Sequence, residues 1–214
     1  MILRKIFKLG KFLKYLVILL LMLSLNLNAG DKYSVRVAHG WATSSDLGEI
    51  LFGQIDGSYG KDLSVTSLDV GYLLYEEVYD LPIDVYVKGS LGYFYEDGVH
   101  DDILETAIYI KAYYNIDFYD NRVRIGLAEG FSYTSHILYA EKQDALENQD
   151  NNSNFLNYLD ISVDFDLGKL TRYKPLEQTY VGWALKHRSG VFGLINDVKH
   201  GGSNYNTFYI EKNF

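Results

Sequence analysis

From Tyr33 onward the chain alternates apolar and polar positions in eight separate stretches. Tyr33, Val35, Val37, His39 and Trp41 share one phase, opposite Ser34, Arg36, Ala38 and Gly40. Leu68, Val70, Tyr72 and Leu74 oppose Ser67, Asp69 and Gly71; Ile83, Val85, Val87, Leu91 and Tyr93 oppose Asp84, Lys88 and Ser90. Leu104, Ile108, Ile110, Ala112 and Tyr114 stand against Glu105, Lys111 and Asn115, and Val123, Ile125, Leu127, Phe131 and Tyr133 against Arg122, Arg124, Gly126 and Ser132. In the sixth stretch Phe155, Leu159, Ile161, Val163, Phe165 and Leu167 face away from Asp160, Ser162, Asp164 and Asp166. Thr179 to Ser189 and Asn204 to Phe214 complete the set. A period of two belongs to strands, because successive side chains leave opposite faces, whereas a helix repeats at about 3.6 residues.

The connections alternate as well. Those after stretches two, four and six are Tyr75 to Leu81, Tyr119 to Asn121 and Gly168 to Gln178; those after one, three, five and seven are mostly longer and more polar. This spacing predicts an all-β fold, an eight-stranded antiparallel transmembrane β-barrel with both termini at the short-turn end. A soluble two-sheet sandwich is the competing architecture. Ile50 to Ile55 carries its own alternation, so strands one and two are expected to extend above the membrane. Gln143 to Asn154 reads as a mobile loop tip. Inside so narrow a barrel, side chains fill the lumen. Arg36, Lys88, Lys111 and Arg124 are expected to pair there with Asp69, Asp84, Glu105 and Asp164, which argues against a pore. Phe214, in phase with Phe208 and Ile210, is expected to close the final strand and to carry its assembly signal.

The first 29 residues stand apart. Arg4, Lys5, Lys8, Lys11 and Lys14 precede the apolar run Leu16 to Leu23, and Asn28-Ala29-Gly30 offers small residues near a cut. Residues 1–29 read as a secretory signal peptide and 30–214 as one barrel domain of the bacterial outer membrane. Composition agrees with export to a barrel: 20 Tyr, 11 Phe and 19 Gly, with only two Pro.

Of the 20 basic residues, five lie in that leader, leaving 15 against 28 acidic residues, a net of −13. Such a chain is a poor partner for nucleic acid, which wants a basic stripe. There is no cysteine, so thiolate sites and disulfides are excluded, and the five histidines show no metal-ligand spacing. Neither a metal nor a cofactor is expected.

One feature breaks the apolar phase. In Thr179 to Ser189, period two places His187 and Ser189 on the same face as Val181, Trp183 and Leu185. If that face meets lipid, an imidazole and a hydroxyl point into the membrane near the outer end of an upward strand, where lipopolysaccharide lies. Polar groups there are costly and suspect as functional. Residues two apart stand about 6–7 Å apart at the backbone, within reach of an imidazole for a hydroxyl, and a serine becomes nucleophilic only when a base takes its proton.

The His187-Arg188-Ser189 element, late in a leader-bearing barrel that ends on Phe214, resembles the His-x-Ser element of the lipid A 3-O-deacylases of the PagL type. The resemblance implies a serine hydrolase in the outer membrane acting on lipid A, with His187 as general base and Ser189 as nucleophile. The family has Asn directly after the serine, where this chain has Gly190, and a glutamate about a dozen residues on, where it has Gly201. For the group that steadies His187, Asn206 ranks ahead of Asn204 and Asp197, because the parity of Phe208 and Ile210 turns it outward; Glu129 is separated by an intervening strand. The glycine-rich Gly190 to Asn204 segment is either a supplier of oxyanion-binding N–H groups or a flexible loop closing the last hairpin. Two other functions stay open beside the hydrolase: a non-catalytic structural or surface-interaction barrel, and a small passive channel.

Overall fold

The computed structural model describes residues 32–55, 57, 59–99, 101–200 and 202–214. The segment 1–29 expected to be a leader, and Gly201, lie outside them. Eight strands follow in order: β1 Tyr33–Thr43, β2 Leu63–Tyr75, β3 Ile83–Glu96, β4 Ile103–Phe118, β5 Asn121–Thr134, β6 Phe155–Asp166, β7 Thr179–Ser189 and β8 Ser203–Asn213. Each pairs antiparallel with the next, and β8 pairs with β1, with Val37 opposite Ile210, so the sheet is a closed barrel. Phe214 lies one residue past β8, is buried, and exchanges both backbone hydrogen bonds with Tyr33 at 2.8 and 3.1 Å. Closure removes every free strand edge, a requirement for β-structure in lipid.

Period two sets which residues face outward from the barrel and which face its interior. In β4, Ile108 and Ile110 are 61 % and 46 % exposed, while Tyr109 and Lys111 between them are 2 % and 0 % exposed. The sandwich alternative is overturned by the single closed sheet.

Inside, six cations meet six carboxylates. Arg36 bridges Asp69 at 3.1 Å and Asp160 at 2.9 Å, and Lys111 shares Asp160. Lys88 holds Glu211 at 2.7 Å, and Arg124 joins Asp164 at 2.8 Å to Glu211 at 3.3 Å, its guanidinium lying between the rings of Tyr113 and Tyr180. Lys186 and Arg188, from the inward phase of β7, take Glu105 and, for Arg188, Glu141. Mutual pairing is what makes such burial tolerable; stripping one partner costs about 3–5 kcal/mol. The expected role of Asp84 is corrected. It accepts hydrogen bonds from the Asn115 side chain and the Glu77 N–H and pairs with no cation among the described residues, because it lies at the short-turn end, one residue into β3.

The long-loop end is capped. Residues Tyr139–Glu147 form helix α2, following the short α1 at Leu47–Leu51 and preceding α3 at Leu167–Thr171 by the other rim. Leu138 packs with Ala42, Leu63, Val65, Phe94, Ile103 and Tyr205 across the mouth, and Glu141 reaches inward from α2 to Arg188 and the Ser203 hydroxyl. Two expectations fail here. Ile50–Ile55 is not strand: Asp46 and Glu49 form a reciprocal capping box that starts α1, and Ile50 is buried by it. Nor is 143–154 a bare loop tip, since α2 runs through Glu147 and buries Ala140 and Ala145.

Candidate functional site

β7 carries the polar pair. Its inward phase is fixed by Lys186 and Arg188, both buried on carboxylates, so His187 and Ser189 must face outward, where each is half-buried. They occupy the third-last and last positions of the strand, at the long-loop rim. Location decides what this costs: charged side chains facing lipid cost about 2–4 kcal/mol at mid-bilayer but only about 0–1 near the interface.

β8 supplies the partner. His187 stands directly opposite Asn204, and the imidazole Nδ1 lies 2.7 Å from Asn204 Oδ1. The amide's other end decides the chemistry. Asn204 Nδ2 donates to the backbone carbonyl of Ser45 at 3.0 Å, a group that can only accept. Oδ1 is therefore the atom turned to His187, Nδ1 must carry the proton, and Nε2 is left with its lone pair. A buried carbonyl 159 residues away thus sets the tautomer of the base.

The ranking of orienting groups is corrected accordingly. Asn206 does face outward, but it sits opposite Leu185 and accepts from the Trp183 indole at 3.2 Å. Asp197 is engaged with Asn151 in the neighbouring loop. Both asparagines share one phase, and register alone chooses between them.

Gly202 lies over the hydroxyl and the imidazole: a Cβ built on it would meet the Arg188 carbonyl oxygen at 2.8 Å and stand 3.8 Å from both His187 Cε1 and Ser189 Cβ, so the missing side chain is what lets the loop approach this closely. No hydrogen bond joins His187 to Ser189 in this state. Gaps of this kind close when substrate binds in many hydrolases.

The loop above the site is built rather than slack. Asp150 takes the N–H groups of Lys199 and His200, each at 2.6 Å, and Asp144 takes that of Gly202 at 3.0 Å. Gly193, Leu194, Ile195 and Val198 donate to carbonyls within the loop. Val191 and Phe192, directly after Ser189-Gly190, adopt left-handed φ of 50° and 56°, and among the described residues their N–H groups have no acceptor. Left-handed geometry at a β-branched residue costs on the order of 1–3 kcal/mol and concentrates at functional sites. Phe192 and Leu194 are 93 % and 84 % exposed, a pair of apolar tips beside the serine.

One outward polar residue, Asn157, escaped the sequence reading, although its partner Glu129 did not. Asn157 of β6 stands directly opposite Ser189, and its Nδ2 donates to both Glu129 and the Gly130 carbonyl of β5. The signal was present, since 157 falls in the apolar phase of 155 and 159 and breaks it.

No protein-family model matches this chain, and no curated protein matches it. Among solved structures, the outer membrane enzyme PagL aligns over 85 % of this chain and 99 % of its own, with a TM-score of 0.56 and 11 % identity. Neisserial surface protein A aligns over 86 % and 97 %, with a TM-score of 0.48 and 13 % identity. At such identities the likeness concerns fold alone: this chain is a closed eight-stranded antiparallel barrel, as the outer membrane enzyme is.

Proposed function

We propose that this chain is an outer-membrane acyl-ester hydrolase that removes an acyl chain from lipid A in the outer leaflet. The observation that carries the reading is the Ser45–Asn204–His187 chain of hydrogen bonds, which fixes Nε2 as the basic nitrogen beside an outward serine. Likeness in fold to an outer membrane enzyme supports it.

The chemistry follows from those atoms. Ser189 Oγ attacks the ester carbonyl carbon while His187 Nε2 takes its proton. The carbonyl oxygen becomes an oxyanion, and the unengaged Val191 and Phe192 N–H groups are the backbone donors offered to it. Collapse breaks the ester C–O bond, and the imidazolium returns the proton to the departing sugar hydroxyl. A water activated by the same nitrogen then hydrolyses the acyl-serine, releasing a fatty acid and restoring Ser189. Asn204 holds the tautomer throughout but adds no negative charge, so slower turnover than from a carboxylate-backed site is expected.

A non-catalytic surface barrel is the second reading, favoured by the missing His187–Ser189 hydrogen bond. Mass spectrometry of lipid A from cells expressing the wild type or Ser189→Ala separates the two. Loss of one acyl chain only with the wild type supports the hydrolase; identical lipid A in both leaves the surface barrel.

A further inference from the structure

Asn157 is the only outward side chain set directly across β6–β7 from Ser189. It is 6 % exposed, so its surroundings hold it closely. Both of its N–H bonds are committed to groups that can only accept: one to the Glu129 carboxylate and one, at 3.1 Å, to the Gly130 carbonyl. The amide cannot turn over without facing two acceptors with its oxygen. Oδ1 is therefore left as an acceptor whose direction is chemically forced, and no described residue donates to it. Glu129 is itself an exposed carboxylate in the apolar phase of β5, an expensive group on a lipid-facing wall. Glu129 holds Asn157 in this orientation, and its charge also acts on the His187 imidazole.

The side chains on the β6 side of Ser189 thus present acceptors and no donor. A ligand seated there must bring the hydrogen. We infer that Asn157 selects lipids carrying an amide N–H or hydroxyl beside the scissile ester, as an N-acylated amino sugar does, over glycerolipids whose neighbouring linkage is a second ester. The donor on the substrate bonds Asn157 Oδ1 and brings the adjacent ester carbonyl to Ser189 Oγ. This selectivity rests on the hydrolase reading for its consequence, but recognition itself can be measured without turnover.

The test uses the Ser189→Ala protein in detergent micelles and native mass spectrometry. Two synthetic probes are compared: a 3-O-acyl glucosamine lipid with an acylamide at position 2, and the same lipid with a 2-O-acyl ester. One hydrogen bond made or lost corresponds to about tenfold in affinity, so the amide is expected to bind about tenfold more tightly. Asn157→Leu, apolar and suited to a lipid-facing position, should reduce that ratio to near one while the protein keeps its heat-modifiable migration. Equal binding of the two probes overturns the inference, as does a ratio unchanged by Asn157→Leu. Because the two probes are compared on one protein, the result stands even if the leucine variant fails to assemble. Preference for the amide without hydrolysis of either probe by the wild type supports the recognition role and counts against the hydrolase.

Discussion

His187 and Asn204 face each other across the β7–β8 ladder with Nδ1 2.7 Å from Oδ1, and the Ser45 carbonyl behind Asn204 leaves that contact one polarity. Replacing Asn204 by Leu removes the orientation while keeping the strand. The turnover number should fall by about 10- to 100-fold, which is about 1.4–2.8 kcal/mol of barrel-bound transition-state stabilisation. Asn204→Asp should restore activity and move the lower limb of the pH–rate profile to higher pH, since a carboxylate favours the imidazolium. Unchanged turnover in Asn204→Leu would remove this residue from the mechanism.

Ser189→Ala should abolish deacylation with no loss of barrel. The hydroxyl lies at the last position of β7 and makes no hydrogen bond among the described residues, so its removal costs little packing. Electrophoretic mobility before and after heating reports assembly, and lipid A masses report activity. Deacylation persisting at the wild-type level would exclude this serine as nucleophile.

Arg36→Met should weaken the barrel rather than the site. It leaves Asp69 without its cation and Asp160 with Lys111 alone. A loss of about 3–5 kcal/mol is expected from an uncompensated buried charge, read as the shift in urea unfolding of protein folded into lipid vesicles. A shift under about 1 kcal/mol would mean that water reaches the interior far more freely than its packing implies.

Acid should tighten the cap. Burial pushes the Glu141 carboxyl above its ordinary range despite the pull of Arg188 and the Ser203 hydroxyl, and burial likewise raises Asp144 despite the Gly202 N–H. A carboxyl that holds its proton more tightly docked than free favours docking at low pH. That advantage declines as pH climbs from the usual carboxylate range through the raised values. Amide exchange in α2, corrected for intrinsic rates, should show more protection at pH 5 than at pH 8. Equal protection at both would show that neither carboxyl governs docking.

Most of the wall was legible in the sequence because it obeys one rule. A period of two, repeated eight times, states which residues face outward and which face the interior, and Lys186 and Arg188 confirm the outward phase of His187 and Ser189 by being buried on carboxylates. The rule is silent on register. Asn204 and Asn206 have the same phase, and which one meets His187 depends on how the 190–202 loop sets β8 against β7. The cap was not legible for another reason. α2 has few apolar residues of its own; Leu138 just before it packs into the barrel mouth, a surface assembled from β1, β2, β3, β4 and β8, and Ala140 and Ala145 are buried with it. Asn157 could have been found, since a lone amide in an otherwise apolar phase is the same anomaly that picked out His187.

The closed mouth has a kinetic consequence. With Leu138 and its neighbours across the outer end and ion pairs filling the shaft, a lipid on the proposed hydrolase reading comes to the outward-facing Ser189 sideways, through the plane of the leaflet, rather than through the barrel. Encounter is then a two-dimensional search. The quantity that governs rate is the mole fraction of substrate in the surface, not its concentration in the surrounding water. Diluting the leaflet with inert amphiphile at constant total substrate should slow the reaction in proportion, and a short soluble ester should be turned over poorly however much of it is dissolved.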